Sequence, residues 1–212
     1  MDDASRTTIL ARVSQAQVKG HIPDSPGNLP DRFPAPKLEP EAAKTRLCSE
    51  FALLGVDVYV EDSDQAVRDR VKNLITGKSI LSWDPDQLPY ETGRCLENEN
   101  VFHGADAKEK QGEAEIGLTG CEAALAETGT LAMVSSAGKP RTASLLPYVH
   151  VAVIRGGDIL TGMGDFFERF RNRAELLPYL VFITGPSRTA DIELSLTLGV
   201  HGPGKVIVVI GP

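Results

Sequence analysis

Apolar residues recur along this chain in two alternating rhythms. From Glu41 to Leu54, Ala42, Leu47, Phe51 and Leu54 fall on or near one helical face, and Gly55 supplies the stop. Val56 to Val60 then reads as a short β-rich run, which predicts a strand. Asp64 to Ile75 returns to helical spacing through Val67, Val71, Leu74 and Ile75, and Ser79 to Ser82 predicts another strand. Further on, Val149 to Ile154, Leu180 to Thr184 and Val206 to Ile210 are nearly continuous apolar runs, the mark of strands buried on both faces. Helices are expected at Asp165 to Leu177 and Thr189 to Leu198, with a turn at Gly185 to Ser187 between strand and helix. Strands alternating with helices build a parallel sheet, so the pattern predicts an α/β domain of three layers, an open, mostly parallel sheet with helices on both faces.

The pattern is weaker elsewhere. Ser5 to Val18 has the spacing of a short amphipathic helix, and His21 to Pro40 then carries six prolines. Each proline removes a backbone donor and fixes φ, so this segment is neither helix nor sheet interior. Residues 1–40 are therefore taken as an N-terminal helix and Pro-rich arm, and 41–212 as the folded domain. The arm either stays free or lies along the surface or a partner subunit, where it would make a homo-oligomer contact. Between Asp86 and Glu113 the text is polar and acidic, with peripheral helices expected near Gln87 to Asn98 and Ala105 to Gln111. In Ile116 to Ser136, an Ala-rich run after Gly120 predicts a short helix, Thr128-Gly129-Thr130 a turn, and the apolar residues that follow a strand.

Composition narrows the function classes. The net charge of −7 over 212 residues argues against non-specific nucleic-acid binding and a polybasic membrane patch. No apolar run reaches bilayer length, and the first residues carry no signal-peptide core, so a cytoplasmic protein without a membrane span is expected. Cys48, Cys95 and Cys121 are widely spaced and form no Cys-x-x-Cys pair. An iron–sulfur cluster or zinc site built by this chain alone is not expected, so no cofactor and no metal is assigned to it. Neither a P-loop nor a G-x-G-x-x-G fingerprint occurs.

By Gly117 the chain reaches motifs with a known likeness. GLTGCEAALAETGTLAM, PRTASLLPYVHVAVI, TGPSRTADIE and LGVHGPGKVIVVI, in this order, resemble the LUD-domain family of lactate-utilisation proteins from Glu41 onward. The resemblance implies a NagB/RpiA/CoA-transferase-like fold. It also implies an accessory role beside iron–sulfur partner proteins that oxidise L-lactate to pyruvate, with this chain binding a small anion or a redox partner. The chemical step, if the chain performs one, is not implied. Cys121-Glu122 stands where the family often has an Asp after a small residue, and the Pro-rich arm lies outside the likeness.

The candidate residues follow from chemistry. Glu127, at a change of backbone direction, is a candidate catalytic carboxylate, since ligands bind at the carboxyl ends of strands and carboxylates there serve as bases or nucleophiles. A stand-alone acyl or CoA-ester enzyme using Glu127 is the alternative reading, and an assembly factor docking through its arm is a third. His201, on a glycine-rich loop, is the candidate proton-transfer group. Thr128, Gly129 and Thr130 are candidate ligand contacts, as are Gly185, Ser187, Thr189 and Asp191 around a presumed helix start. Lys139 and Arg141 bring positive charge to one loop, and Arg141 has the geometry to hold a carboxylate or phosphate. His150, at the head of an apolar run, reads as a buried, hydrogen-bonded histidine. Cys121 reads as buried and inert unless a helix start lowers its pKa.

Overall fold

A computed structural model describes residues 3–19, 37–172, 179–189 and 197–212. The chain divides into two units, Met1–Pro34 and Ala35–Pro212. In the first, Asp3–Lys19 forms helix α1, on which Ile9, Leu10 and Val13 are each about half exposed. The Pro-rich arm, up to residue 36, lies outside the described residues.

The second unit is built on a six-stranded parallel sheet. Its strands are β1 (Asp57–Val60), β2 (Ser79–Ser82), β3 (Asn100–Phe102), β4 (Ile116–Thr119), β7 (Val149–Arg155) and β12 (Lys205–Gly211), in the spatial order β1-β12-β7-β4-β2-β3. Along β7, Val151 to Ile154 are all buried, and along β12 so are Val206 to Ile210. Successive side chains of a strand point to opposite faces, so both faces of the sheet centre are covered. The three-layer α/β architecture expected from the apolar rhythm is present.

The helices carry the periodicity that predicted them. Helix α2 (Pro40–Leu54) starts on a proline whose missing N–H costs nothing at that position, and it buries Ala43, Leu47 and Phe51. It ends at Gly55, whose φ of 78° is the left-handed conformation glycine adopts freely. Helix α3 (Asp64–Ile75) is capped by Ser63 Oγ, which accepts from the Ala66 N–H, and buries Val67, Val71 and Ile75.

Several expectations fail, each for a tertiary reason. The Ala-rich run is strand β5 (Ala123–Leu125), not a helix, and it pairs antiparallel with β6 (Thr130–Val134). A second, four-stranded sheet results, ordered β8-β5-β6-β9, where β8 is Ile159–Leu160 and β9 is Leu180–Ile183. The runs at 131–134 and 180–183 therefore belong to this mixed sheet and not to the parallel one. Alternation explains the choice: Ala123, Leu125 and Ala132 pack with Phe166 and Phe170, while Ala124, Ala126, Leu131 and Met133 join the main core. A two-sided burial of this kind fits a strand and overrides alanine's helix preference.

The strands missing from the sequence reading, β3 and β4, fill the places in the parallel sheet. Gly117 in β4 is required by close approach. The 3-10 turn Arg141–Ser144 crosses it so tightly that a Cβ there would lie 1.8 Å from the Ala143 carbonyl oxygen. The polar stretch after β2 holds a short helix α4 (Lys108–Gln111) and 3-10 turns at Pro85–Gln87 and Pro89–Leu96, in place of the longer helix expected at Gln87 to Asn98. Helix α5 spans Met163–Arg169 and gives way to a turn at 170–172, where the sequence predicts more helix; the rest of the expected continuation to Leu177 lies outside the described residues. The helix expected at Thr189 to Leu198 is not formed at its ends. There Arg188–Thr189 (β10) pairs antiparallel with Thr197–Leu198 (β11), and 190–196 fall outside the described residues.

Candidate functional site

The carboxyl ends of β2, β4 and β7 are neighbours in the sheet, and a cleft of about 310 Å³ opens over them. Ligands in open α/β sheets bind at this edge, where strands end in loops whose backbone and side chains converge. Strand β2 delivers Trp83, β4 delivers Gly120, Cys121 and Glu122, and β7 delivers Arg155. Asp158 ends the 3-10 turn after β7, and Arg169 and Phe170 come from the end of α5. Lys139 enters from a tight turn closed by the Ser136–Lys139 bridge. That turn docks on the end of β2 through the Asp84 N–H, which donates to the Gly138 carbonyl at 2.9 Å.

The local chemistry is ionic. Lys139 Nζ lies 2.5 Å from Glu122 Oε1, both side chains mostly buried, and 4.9 Å from the centre of the Trp83 ring. Arg169 Nη2 lies 2.7 Å from Asp158 Oδ1. Arg155 stands over the Tyr90 ring at 5.9 Å, and among the described residues no carboxylate pairs with it. Lys139, Arg155 and Arg169 thus face Glu122 and Asp158, leaving one positive charge in excess.

Two other clefts along this edge have the opposite balance. One, near β1 and β12, sets Glu41, Glu61 and Asp62 against Lys44, and the other sets Asp64, Asp86 and Glu91 against Arg94 and Arg155. An anion is favoured in the first cleft and opposed in these two.

Cys121 is half-buried as a residue, but burial of its thiol, aided by Asp158 and Glu122, pushes its pKa well above the usual range. It is not the activated thiol that a helix start would have produced, because β5 and not a helix follows it. His150 is fully buried on β7. Its Nε2 is 2.8 Å from Thr119 Oγ1, its Nδ1 has no partner among the described residues, and burial lowers its pKa to about 4.

The residues chosen from sequence gather elsewhere. Glu127 is exposed on the β5–β6 turn, its N–H donating to Thr161 O at 2.9 Å and its carboxylate beside Gly162. Thr128 Oγ1, Thr130 Oγ1 and Thr184 Oγ1 form a chain with steps of 2.7 and 2.8 Å. Gly129 and Gly185, at φ of 63° and 79°, both press against Leu54 at the end of α2. Arg188 donates to the Leu54 carbonyl, which satisfies an unpaired acceptor of that helix end. Thr189 lies in the β10–β11 ribbon, so the helix cap expected of it is absent. Ser187 bonds to the loop that carries His201, through its N–H to Pro203 O and its carbonyl from the Gly199 N–H. His201 and Arg141 are exposed, and Asp191 lies outside the described residues. None of these residues lines the cationic cleft. Lys139 does, together with Cys121 and Glu122, which the sequence singled out as a departure from the family pattern. Arg155, Asp158 and Trp83 were missed, although Arg155 and Trp83 directly follow strand runs, the position where the edge rule would have pointed.

No group of three or more His, Cys, Asp or Glu able to hold a metal occurs among the described residues, and no helix there is long and apolar enough to cross a membrane.

The family model described as "LUD domain" matches residues 46–210. The chain belongs to the LUD domain family. This LUD domain is similar to proteins named "Lactate utilization protein C". The relative from Halalkalibacterium halodurans is 33% identical over 71% of this chain and 70% of its own, and that from Bacillus subtilis is 31% identical over 68% and 67%. Among solved structures, a DUF162 family protein from Deinococcus radiodurans shares the fold with a TM-score of 0.66, covering 82% of this chain and 99% of its own at 20% identity.

Proposed function

We propose that this LUD domain serves L-lactate utilisation as an accessory component of the system that oxidises L-lactate to pyruvate. The observation that carries this reading is the likeness, along about 70% of both chains, to a relative named "Lactate utilization protein C". In this reading the chain works in the cytoplasm, binds a small anion or a redox partner, and leaves electron transfer to iron–sulfur partner proteins. The positive excess of the cleft over β2, β4 and β7 supports the anion. A cleft of about 310 Å³ is small for a coenzyme A ester, which gives the acyl-transfer alternative no support here. The test is deletion of the gene. Growth on L-lactate as carbon source is expected to fail while growth on pyruvate continues, with rescue by the gene in trans. Normal growth of the deletion strain on L-lactate would sink the proposal.

A further inference from the structure

Three features of the cationic cleft bear on what it holds. Its excess of one positive charge matches one monoanion, because two of its three cations are already neutralised, Lys139 by Glu122 and Arg169 by Asp158. Arg155 is the cation that pairs with no carboxylate among the described residues; it stands on the border with the cleft of Asp64, Asp86 and Glu91, and it is held from behind. Tyr90 lies beneath the guanidinium, its hydroxyl donates to the Pro212 carbonyl at 2.6 Å, and its ring packs where Gly211 has no side chain. Tyr90 and Glu91 both adopt left-handed backbone, with φ of 56° and 55°. Two consecutive non-glycine residues there are costly, and such strain persists only where the surroundings fix it. The cleft also narrows at Gly120, where a Cβ would meet Pro89 and Trp83 at 3.1 and 3.3 Å. Small size, one unspent guanidinium and a mostly buried lysine select a short acid over a nucleotide or a large ester.

We infer that this cleft binds a short-chain 2-hydroxy or 2-oxo monocarboxylate, with Arg155 taking its carboxylate. This rests on the lactate-utilisation reading for the choice of acid, while the site itself rests on the geometry. A planar guanidinium donates two parallel N–H bonds to a carboxylate, and the Tyr90 ring keeps that plane in place. The oxygen on the second carbon of the acid would then meet the Lys139 ammonium, whose remaining N–H donors are not used by Glu122. Tyr90 is a positioning residue in this arrangement, since it touches Arg155 and not the acid.

The chain holds one tryptophan, Trp83, and it lines this cleft, so tryptophan emission, excited where tyrosine does not absorb, reports on this site. Titration of the full chain with L-lactate or pyruvate is expected to give a saturable change in Trp83 emission, with matching heat in calorimetry, at concentrations up to about 10 mM. Lactamide, which keeps the shape and loses the charge, should give none. Arg155→Gln, at an exposed position, should weaken binding about tenfold or more while leaving the melting temperature unchanged. The inference is overturned by a flat titration in both fluorescence and heat, by equal binding of lactamide, by tighter binding of inorganic phosphate, or by wild-type affinity in Arg155→Gln. A growth defect on L-lactate together with a flat titration removes this site and leaves the pathway reading intact. Normal growth with saturable binding does the reverse.

Discussion

Lys139 and Glu122 show how much one residue pair contributes at this edge. Their side chains are 20% and 17% exposed, so each charge is largely out of water and depends on the other. Removing the lysine leaves a carboxylate with its desolvation cost and no partner. Lys139→Met is expected to destabilise the fold by about 2 kcal/mol, and adding Glu122→Gln should restore most of that loss, as thermal unfolding of both variants would measure. Equal loss in the single and double variants would show that Lys139 acts through packing on Trp83 instead. The surface pair Lys78–Glu115, by contrast, is about half exposed on both sides, and screening by water leaves it little to contribute. Candidate chemistry was legible at this scale only where a residue type is rare in its position. Lys139 could be singled out as a basic group in a loop. Arg155 could be placed at a strand end, but nothing in the sequence shows that this strand ends beside those of β2 and β4.

Among the elements, β4 and β5 decide the geometry of the site. Strand β4 is four residues long and lies between β2 and β7, and its central Gly117 lets the 3-10 turn Arg141–Ser144 cross the sheet. Gly117→Ala places a methyl group on the Ala143 backbone, which cannot yield as a flexible side chain would. A loss of about 2–3 kcal/mol is expected, seen as a lower denaturation midpoint. An unchanged midpoint would mean that the crossing yields enough to admit a methyl group. Helices α2 and α3 and strands β7 and β12 were readable from sequence because their apolar residues repeat at the period of a single buried stripe or run. The segment Ala123–Leu125 was not, since a short run of alanine and leucine has the same pattern in a helix or a strand. Its choice depends on two cores that come together from distant parts of the chain. Ser187 and Thr189 illustrate the same limit: the two ends of the helix expected after them belong to the β10–β11 ribbon, which is set by pairing across 189 to 197 and not by local preference.

For the molecule as a whole, the buried His150 links stability to pH. In the unfolded chain this histidine binds a proton near its ordinary value of 6.5, whereas in the fold burial holds that event down to about 4. Between those values the unfolded state carries more protons, so acidification favours unfolding; above 6.5 both states are neutral and the contribution is flat. Stability is expected to fall as pH drops from 6.5 to 4, by up to about 3 kcal/mol from this group. Melting curves across this range should show the slope, and His150→Leu should flatten it. An equally steep slope in the variant would assign it to carboxylates. The architecture itself was legible at this scale, because an α/β alternation admits few topologies. The division of the strands between a parallel sheet and a mixed one was not, since both kinds of strand are buried and apolar.

Of the six parallel strands, β12 comes last in the chain yet sits second in the sheet, between β1 and β7. During translation, β1 has no sheet neighbour until Lys205 to Gly211 leaves the ribosome, and β7, once made, keeps one edge open until the same moment. The growing polypeptide must therefore shelter the unpaired edge of β1 through the synthesis of residues 61–204 and that of β7 through residues 156–204, a separation that also makes closure slow. A ribosome stalled before Lys205 would hold a chain with those edges bare, a substrate for chaperones and a seed for aggregation.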